Sequence, residues 1–132
     1  MNITQAILDG LTEKAKVSPR LRANLDLRDS DVDTSQRMLN AIEPDSVVPI
    51  HRHQKTSETI AVIRGRIMAE IYDELDRRCV EAVEVKPCGQ TMAVSVPAGV
   101  WHTVHSLESG TVILEMKNGM YEPIKPEDIL EK

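Results

Sequence analysis

Four histidines carry the clearest chemical signal in the chain, and they are His51, His53, His102 and His105. On a β-strand, side chains two residues apart project from the same face, so the imidazoles of His51 and His53 can reach one point. Glu58 follows five residues later, across a polar stretch. Imidazole and carboxylate donors suit Zn, Fe, Ni, Mn, Co or Cu, and the lack of a thiolate argues against a structural zinc cage. The pattern therefore predicts a divalent transition-metal site.

Only one of the two later histidines can join this site if both lie on one regular strand. His102 and His105 are three residues apart, and an odd separation places side chains on opposite faces. His102 is favoured because its facemates, Val104 and Ser106, are small enough to line a narrow interior. The predicted ligands are His51, His53, Glu58 and His102. The turn before Glu58 leaves its facing open, and a β-bulge would exchange His102 for His105.

The segments around these residues have the pattern of an all-β protein. After residue 40, turn-forming residues recur about every ten positions, and the segments between them are rich in Val, Ile and Thr at 59–63, 66–72, 80–85, 94–96 and 111–116. Short segments between evenly spaced turns predict a β-sandwich or barrel. In the last segment, Val112 and Leu114 alternate with Ile113 and Glu115, which predicts a half-buried strand.

The two ends of the chain differ from this pattern. Ile3, Ile7, Leu8 and Leu11 recur at helical spacing, with Thr4 or Asn2 as the cap, and Pro19 ends this helix. Residues 18–28 form an extended arm, and 126–130 predict a short C-terminal helix with Pro at its first turn. We therefore expect one domain over 1–132, with the helix and arm at 1–35, the barrel at 36–121 and a tail at 122–132.

Composition narrows the class of protein. The chain has 132 residues, 41% hydrophobic and 28% charged, which is typical of one globular domain. Its net charge of -5 and its three aromatic residues, Tyr72, Trp101 and Tyr121, argue against a nucleic-acid partner. The longest apolar runs are far shorter than a membrane span, and residues 1–5 do not begin a secretory signal. We therefore expect a cytoplasmic protein with free thiols at Cys79 and Cys88, although a disulfide on one hairpin remains open.

The histidine, glutamate and turn spacings resemble the two motifs of the cupin superfamily. The first motif, Gly, five residues, HxH, three or four residues, Glu, six residues and Gly, matches residues 45–65, with Asp45 replacing the opening Gly. The second matches Pro97 to His102, with its upstream Gly displaced to Gly89 and Ser106 replacing the usual Asn. The resemblance implies a double-stranded β-helix, the jelly-roll barrel, and its spacing also selects His102 as a ligand.

The resemblance extends to one group of cupins. Residues 18–25, 36–39, 97–103 and 115–123 look like the WbuC-type cupin metalloproteins, and the likeness covers nearly the whole chain, including the N-terminal extension that general cupins lack. Such proteins are often encoded among bacterial surface-polysaccharide genes. The resemblance thus implies a fold, a metal and a setting, but it does not settle a reaction.

Three functions from different classes are compatible with these observations. The first is a metal-dependent enzyme, an isomerase, epimerase or dioxygenase acting on a small polar molecule such as a sugar or sugar nucleotide, with bound water or Glu58 as proton acceptor. The second is a non-catalytic module that binds or senses a small ligand. The third is a structural metal in a dimeric assembly factor. A second base beside the metal would favour the enzyme.

The extended arm at 18–28 raises two further expectations. Arg20 and Arg22 could bind a carboxylate or phosphate, or they could pair with Asp26, Asp29 or the acidic second half of the chain. The part from residue 22 to 28 could add as a strand to a neighbour's sheet, or it could cover its own barrel. Because open sheets must protect their edges, we expect a homodimer.

Overall fold

The computed structural model describes residues 1–130 and has two facing five-stranded antiparallel sheets with one helix. The first half of the chain contains α1 (Gln5–Val17), β1 (Arg22–Asp26), β2 (Ser35–Ile42), β3 (Ile50–His51) and β4 (Glu58–Arg64). The second half contains β5 (Ile67–Tyr72), β6 (Cys79–Val85), β7 (Ala93–Val96), β8 (Trp101–Ser106), β9 (Val112–Asn118), a 3-10 turn (Pro126–Asp128) and β10 (Ile129–Leu130). The all-β architecture with an N-terminal helix is the predicted one.

Two strand orders define the sheets. The first sheet runs β1-β2-β9-β4-β7, and the second runs β10-β3-β8-β5-β6. A core of apolar side chains fills one end of the space between them, and it includes Ile42, Ile60, Val62, Ile67, Val104 and Ile113. The other end of this space is lined by polar side chains, and the predicted metal ligands lie there.

Helix α1 covers the outer face of the first sheet. The Thr4 hydroxyl accepts a hydrogen bond from the Ile7 N–H, which confirms the predicted cap. Leu8, Leu11 and Ala15 are buried and pack against Leu39, Ala41 and Val112 of the sheet. The helix is too short and too polar to cross a membrane, and the described residues contain no other α-helix.

The arm belongs to its own barrel. Strand β1 pairs with β2 in the register Arg22 to Ile42 and Leu25 to Leu39, so it extends the first sheet as an edge strand. Of the two alternatives for the arm, the structure therefore has the one in which it covers its own barrel. Strand β2, which starts at Ser35, lies between β1 and β9 in this sheet.

Strand β9 has two covered faces. Val112 and Leu114 pack under helix α1, whereas Ile113 lies in the core between the sheets. Glu115 and Lys117 share the inner face and line the polar end of the barrel. The predicted alternation is present, but the polar face of this strand points into the molecule.

The tail returns to the second sheet instead of ending in a helix. The predicted helix at 126–130 is a single 3-10 turn, after which β10 pairs with β3 and places Ile129 opposite His51. The Asp128 carboxylate accepts hydrogen bonds from Arg52 and Gln54, which flank His53. The last two residues of the predicted tail, 131 and 132, lie outside the described range.

Candidate metal centre

Adjacent strands of the second sheet present two histidines to the interior. His51 on β3 and His102 on β8 stand directly opposite each other in the antiparallel ladder. Their ring centroids are 4.4 Å apart. His102 is almost fully buried, with 3% of its surface exposed. Regular strand pairing therefore brings together two residues that are 51 positions apart in the sequence.

A glycine turn fixes the position of His53. Gly99 donates its N–H to the His53 carbonyl at 2.8 Å, which ties the Pro97 to Gly99 turn to the residue that follows β3. Gly99 has φ of +82°, a conformation that glycine adopts at little cost. The His53 ring lies 5.1 Å from that of His51 and 5.7 Å from that of His102.

The opposite sheet supplies Glu58 as the first residue of β4. Glu58, Ile60 and Val62 are buried and alternate along the strand, so Glu58 faces the barrel interior. Its carboxylate oxygens lie 3.3 Å from His53 Nε2 and 3.4 Å from His102 Nε2. The structure thus settles the facing of Glu58, which the sequence left open.

These four side chains make an arrangement that could hold a metal ion. Each offers one donor atom, and the four atoms lie within 4.8 Å of one another. The buried Nε2 atoms of His53 and His102 have no hydrogen-bond partner among residues 1–130, although Glu58 lies close to both. Unpartnered nitrogens that converge on a carboxylate are a costly arrangement unless something else binds them.

Backbone carbonyls orient two of the imidazoles. His51 Nδ1 lies 2.8 Å from the Pro49 oxygen, and His102 Nδ1 lies 2.9 Å from the Val100 oxygen. A carbonyl only accepts, so each Nδ1 carries a proton, and in the neutral ring Nε2 has the lone pair that can bind a metal. This is the tautomer that a metal-binding histidine needs, held by the type of outer contact that such ligands usually have.

Burial and neighbouring charges set the protonation of the group. Burial, together with the neighbouring His102 imidazole, lowers the pKa of His51 to about 4, so this ring stays neutral near pH 7. Burial alone would raise the pKa of Glu58, but contacts with His102 and His53 outweigh it and hold that pKa well below its usual range. Neutral imidazoles beside an ionised carboxylate are the forms in which these side chains bind metals.

The cleft around this group brings in Asn40, Glu115 and Lys117, which were not singled out from the sequence. It has a volume of about 330 Å³, and its polar lining includes Arg20, Arg22, Asn40, Glu115, Lys117 and Tyr121. The Lys117 ammonium lies 3.4 Å from His53 Nδ1. Burial and the charge of Glu58 raise the pKa of Glu115 to about 7. Polar residues alternating with apolar ones on β9 were the only available signal, and they also fit a solvated face.

The remaining candidates lie away from the centre. His105 lies on the outer face of β8, half exposed, with its Nε2 beside the Glu70 carboxylate, as the odd spacing from His102 predicts. Trp101 is buried beside Ile50 and Tyr72, with the Arg52 guanidinium over its ring. Both cysteines are free thiols.

A comparison with known protein families shows which family the chain belongs to. Residues 3–83 match a family described as a domain of unknown function, DUF6016. The chain belongs to this family. A search of curated proteins found no match. The DUF6016 description assigns no activity, so the functional conclusions come from the geometry of the site.

Solved structures identify the fold. KdgF from Halomonas sp. is 14% identical with a TM-score of 0.63, and the alignment covers 80% of this chain and 85% of KdgF. A cupin-2 domain from Rhodospirillum rubrum is 17% identical with a TM-score of 0.59, covering 79% of this chain and 64% of that one. These likenesses show that this DUF6016 chain has the cupin jelly-roll fold, as predicted.

Some neighbours are much longer than this chain. The capsular polysaccharide assembling protein CapF from Staphylococcus aureus is 21% identical with a TM-score of 0.64, covering 86% of this chain but 31% of CapF. The alignment with oxalate oxidase covers 82% of this chain and 55% of that enzyme. This chain therefore spans about a third of CapF and about half of oxalate oxidase.

Proposed function

We propose that this chain is a metal-binding cupin whose ligands are His51, His53, Glu58 and His102. The observation that carries the proposal is the orientation of the imidazoles. Backbone carbonyls accept hydrogen bonds from Nδ1 of His51 and His102. The buried Nε2 atoms of His53 and His102, which have no hydrogen-bond partner among residues 1–130, converge on Glu58. The donor set of nitrogen and oxygen atoms fits Zn, Fe, Ni, Mn, Co or Cu.

We further propose that the site is catalytic and acts on a small polar substrate. Polarisation of a carbonyl or hydroxyl oxygen is the chemistry that a bound divalent ion supplies in such a site. The lowered pKa of Glu58 suits a metal ligand better than a proton acceptor, which is one of the two roles that the sequence predicts for it. Glu115 lines the same cleft with a pKa near 7, so it can both take and give a proton at neutral pH. This second carboxyl favours an enzyme over a binding or sensing module.

We also propose that the chain is a WbuC-type cupin and that it acts on a sugar or sugar derivative. The motif at 115–123 and the N-terminal helix and arm support it, because both are part of that resemblance. CapF, whose name places it in capsular polysaccharide assembly, shares the fold. An isomerisation or epimerisation fits the available proton carrier, whereas an oxygen-dependent reaction would also require a redox-active metal such as iron.

Metal analysis of single variants tests the ligand set. The protein is purified without chelator, and its metal content per chain is measured by mass spectrometry. We expect His51→Ala, His53→Ala and His102→Ala each to lose most of the metal, because removing one ligand leaves a weaker and less closed site. His105→Ala is the matched control, since it removes an imidazole from the same strand as His102, and it should retain the metal.

The opposite pattern would reject the proposed ligands. If His105→Ala empties the site while His102→Ala stays loaded, the facing of β8 is wrong. If the wild-type protein takes up no divalent metal, the metal-binding function itself is wrong. Turnover of sugar nucleotides and simple sugars by the loaded protein, absent in Glu115→Gln, would separate the enzyme from a module that only binds.

A further inference from the structure

Two arginines face the metal cleft without a counter-ion. Arg20 and Arg22 line the cleft together with the proposed ligands, and neither forms an ion pair with any residue between 1 and 130. Six other arginines do pair with carboxylates, and these are Arg28, Arg37, Arg52, Arg64, Arg66 and Arg78. The expected partners are engaged elsewhere, Asp26 with Arg28 and Asp29 with Arg37. Asp26 and Asp29 therefore do not neutralise Arg20 and Arg22. From the acidic second half of the chain, Glu115 acts on the charge of Arg22 without forming an ion pair with it.

The environment of Arg22 leaves a donor unused. Its side chain is half-buried, and its Nε atom is inaccessible to solvent and has no hydrogen-bond partner in the described part of the chain. Burial lowers the pKa of Arg22, the charge of Arg20 lowers it further, and only Glu115 opposes them. A buried N–H without an acceptor destabilises the folded protein, and a bound oxyanion would supply the acceptor.

The backbone holds the two arginines in a strained, fixed turn. Leu21, between them, has φ of +55°, a left-handed conformation that is unfavourable for a residue with a branched side chain. The Ser46 hydroxyl donates to the Arg20 carbonyl at 2.7 Å, and the Glu43 N–H donates to the Leu21 carbonyl at 3.0 Å. Strain of this kind persists where the surroundings fix it, and it clusters at ligand sites.

Resting on the proposed function, we infer that the ligand carries an oxyanion, which Arg22 and Arg20 bind while oxygens at its other end reach the group formed by His51, His53, Glu58 and His102. The guanidinium fork matches a planar carboxylate with two parallel hydrogen bonds. Glu115 and Glu122 line the same cleft, and their carboxyl groups disfavour a highly charged ligand such as a diphosphate.

The size of the cleft limits the ligand further. Ligand pockets usually measure roughly 300–1,000 Å³, and this one, at about 330 Å³, lies near the lower end. It fits a molecule of about one sugar ring better than a whole sugar nucleotide. The inferred substrate class is therefore a small hydroxylated carboxylic acid, with a sugar phosphate as the other source of the same oxyanion chemistry.

Binding titrations with three matched probes test this inference. Glucose, glucuronate and glucose 6-phosphate are titrated by calorimetry and ligand-detected NMR into the full chain, both metal-free and loaded with Zn. We expect glucuronate to bind the wild type at least about tenfold more tightly than glucose, and Arg22→Gln to remove that difference. Arg20→Gln should also weaken glucuronate binding and so reduce its advantage over glucose. Arg78→Gln, which removes an exposed arginine outside the cleft, should leave every affinity unchanged.

Metal content and melting temperature of each variant exclude an indirect effect. Arg22→Gln should keep its metal and its Tm, because the substitution removes an unsatisfied buried donor. A phosphate preference over glucuronate, lost in Arg22→Gln, would support the oxyanion site and assign its ligand to sugar phosphates. Equal binding of glucose and glucuronate, or no binding of either anion, would overturn the inference. Loss of metal or a large fall in Tm in Arg22→Gln would also overturn it.

The two proposals fail in different ways. If the wild type takes up no metal, the metal-binding function is wrong, but titrations of the metal-free protein still decide the role of the arginines. Arginine-dependent anion binding in that protein would support the oxyanion site, and its absence would reject it. If metal binds normally and glucuronate does not, only the oxyanion inference is lost.

Discussion

Glu58 and Glu115 are two carboxyl groups in one cleft with opposite pKa shifts. Glu58 contacts two imidazoles, which hold its pKa low, whereas desolvation of the half-buried Glu115 and the nearby charge of Glu58 raise the pKa of Glu115 to about 7. The Asn40 amide donates to Glu115 at 3.4 Å, which is too long to offset that burial. Environments that push two carboxyl pKa values apart are a common way to assign a ligand and a proton carrier.

The raised pKa of Glu115 predicts a pH-dependent stability for the metal-free protein. The folded carboxyl keeps its proton up to about pH 7, whereas the unfolded one loses it near 4.5. Between these values the folded state binds more protons, so the free energy of unfolding falls as pH rises. Glu115→Gln removes this penalty and should stabilise the metal-free protein by about 1–3 kcal/mol at about pH 8.

Thermal unfolding in the presence of chelator measures this effect. The stabilisation by Glu115→Gln should vanish at about pH 4, where residue 115 of the wild type is protonated in both the folded and the unfolded state. His51 acts with the opposite sign, because its pKa of about 4 costs stability below about pH 6.5, but it is present in both proteins. Glu122→Gln, at an exposed position of the same cleft, is the control. A Glu115→Gln protein no more stable than wild type at about pH 8 would contradict the shift.

Two glycine turns hold the strands that carry the ligands, but they tolerate a side chain differently. Gly65 has φ of +83°, and a Cβ there would lie 2.3 Å from Thr111 Oγ1 and 2.7 Å from Thr111 Cα. Gly99 has a similar φ of +82°, but a Cβ would meet nothing within 4 Å. Gly65 therefore has both a conformational and a packing requirement, whereas Gly99 has only the first.

This difference predicts unequal effects of alanine. Gly65→Ala should lower the free energy of unfolding by about 2–4 kcal/mol, because strain and overpacking add. Gly99→Ala should cost about 1–2 kcal/mol, for the left-handed backbone alone. Urea denaturation of the metal-free proteins measures both, and Gly10→Ala in helix α1, where a Cβ has open space, is the neutral or stabilising control. Equal losses for the two turn variants would mean that Thr111 moves aside.

Local patterns were sufficient to predict most strands but not their partners. The segments 59–63, 66–72 and 111–116 correspond to β4, β5 and β9, since turns and β-branched residues mark them. Strand β2 was not predicted because its sequence, Ser35 to Ile42, mixes polar and apolar residues without a turn signal. Strand β2 forms because it pairs with β1 on one side and with β9 on the other, and these two strands lie far from each other in the chain.

Motif spacing in the sequence predicted the histidines of the candidate site. It did not predict the site residues on β9, because that strand is covered on both faces. The period-two pattern correctly groups His51 with His53, although β3 ends at His51 and the contact with Gly99 positions His53. The turn spacing predicts His102. Glu115 and Lys117 could not be placed, because alternation on β9 does not tell which face is interior once helix α1 covers the other one. Which face of β9 points into the barrel depends on how the helix and sheets pack, and the local sequence does not show it.

The whole molecule has sheet edges that are open in one chain. Strands β1 and β7 end the first sheet, and β10 and β6 end the second. Exposed apolar side chains lie on or near β6, including Val80 and Leu75. Uncovered edges with apolar neighbours favour association, so we expect a homodimer even though the arm pairs within its own chain.

Sedimentation of the intact protein at micromolar concentration tests this expectation. The main species should have about twice the chain mass of 14.8 kDa. A single species of 14.8 kDa would contradict it. Deleting residues 1–28 would not test the interface, because the deletion removes Leu8, Leu11 and Ala15 from a buried cluster and should unfold the first sheet.

The pairing of β10 with β3 has a consequence for the order in which the protein is made. His51 lies on a strand of two residues, and its partners are His102 on one side and Ile129 on the other. A nascent chain that has emerged from the ribosome only as far as β8 has all four proposed ligands but lacks the outer support for β3. The four side chains can therefore reach the geometry described above only after the tail is translated, so we expect metal binding at the proposed site to follow synthesis of β10.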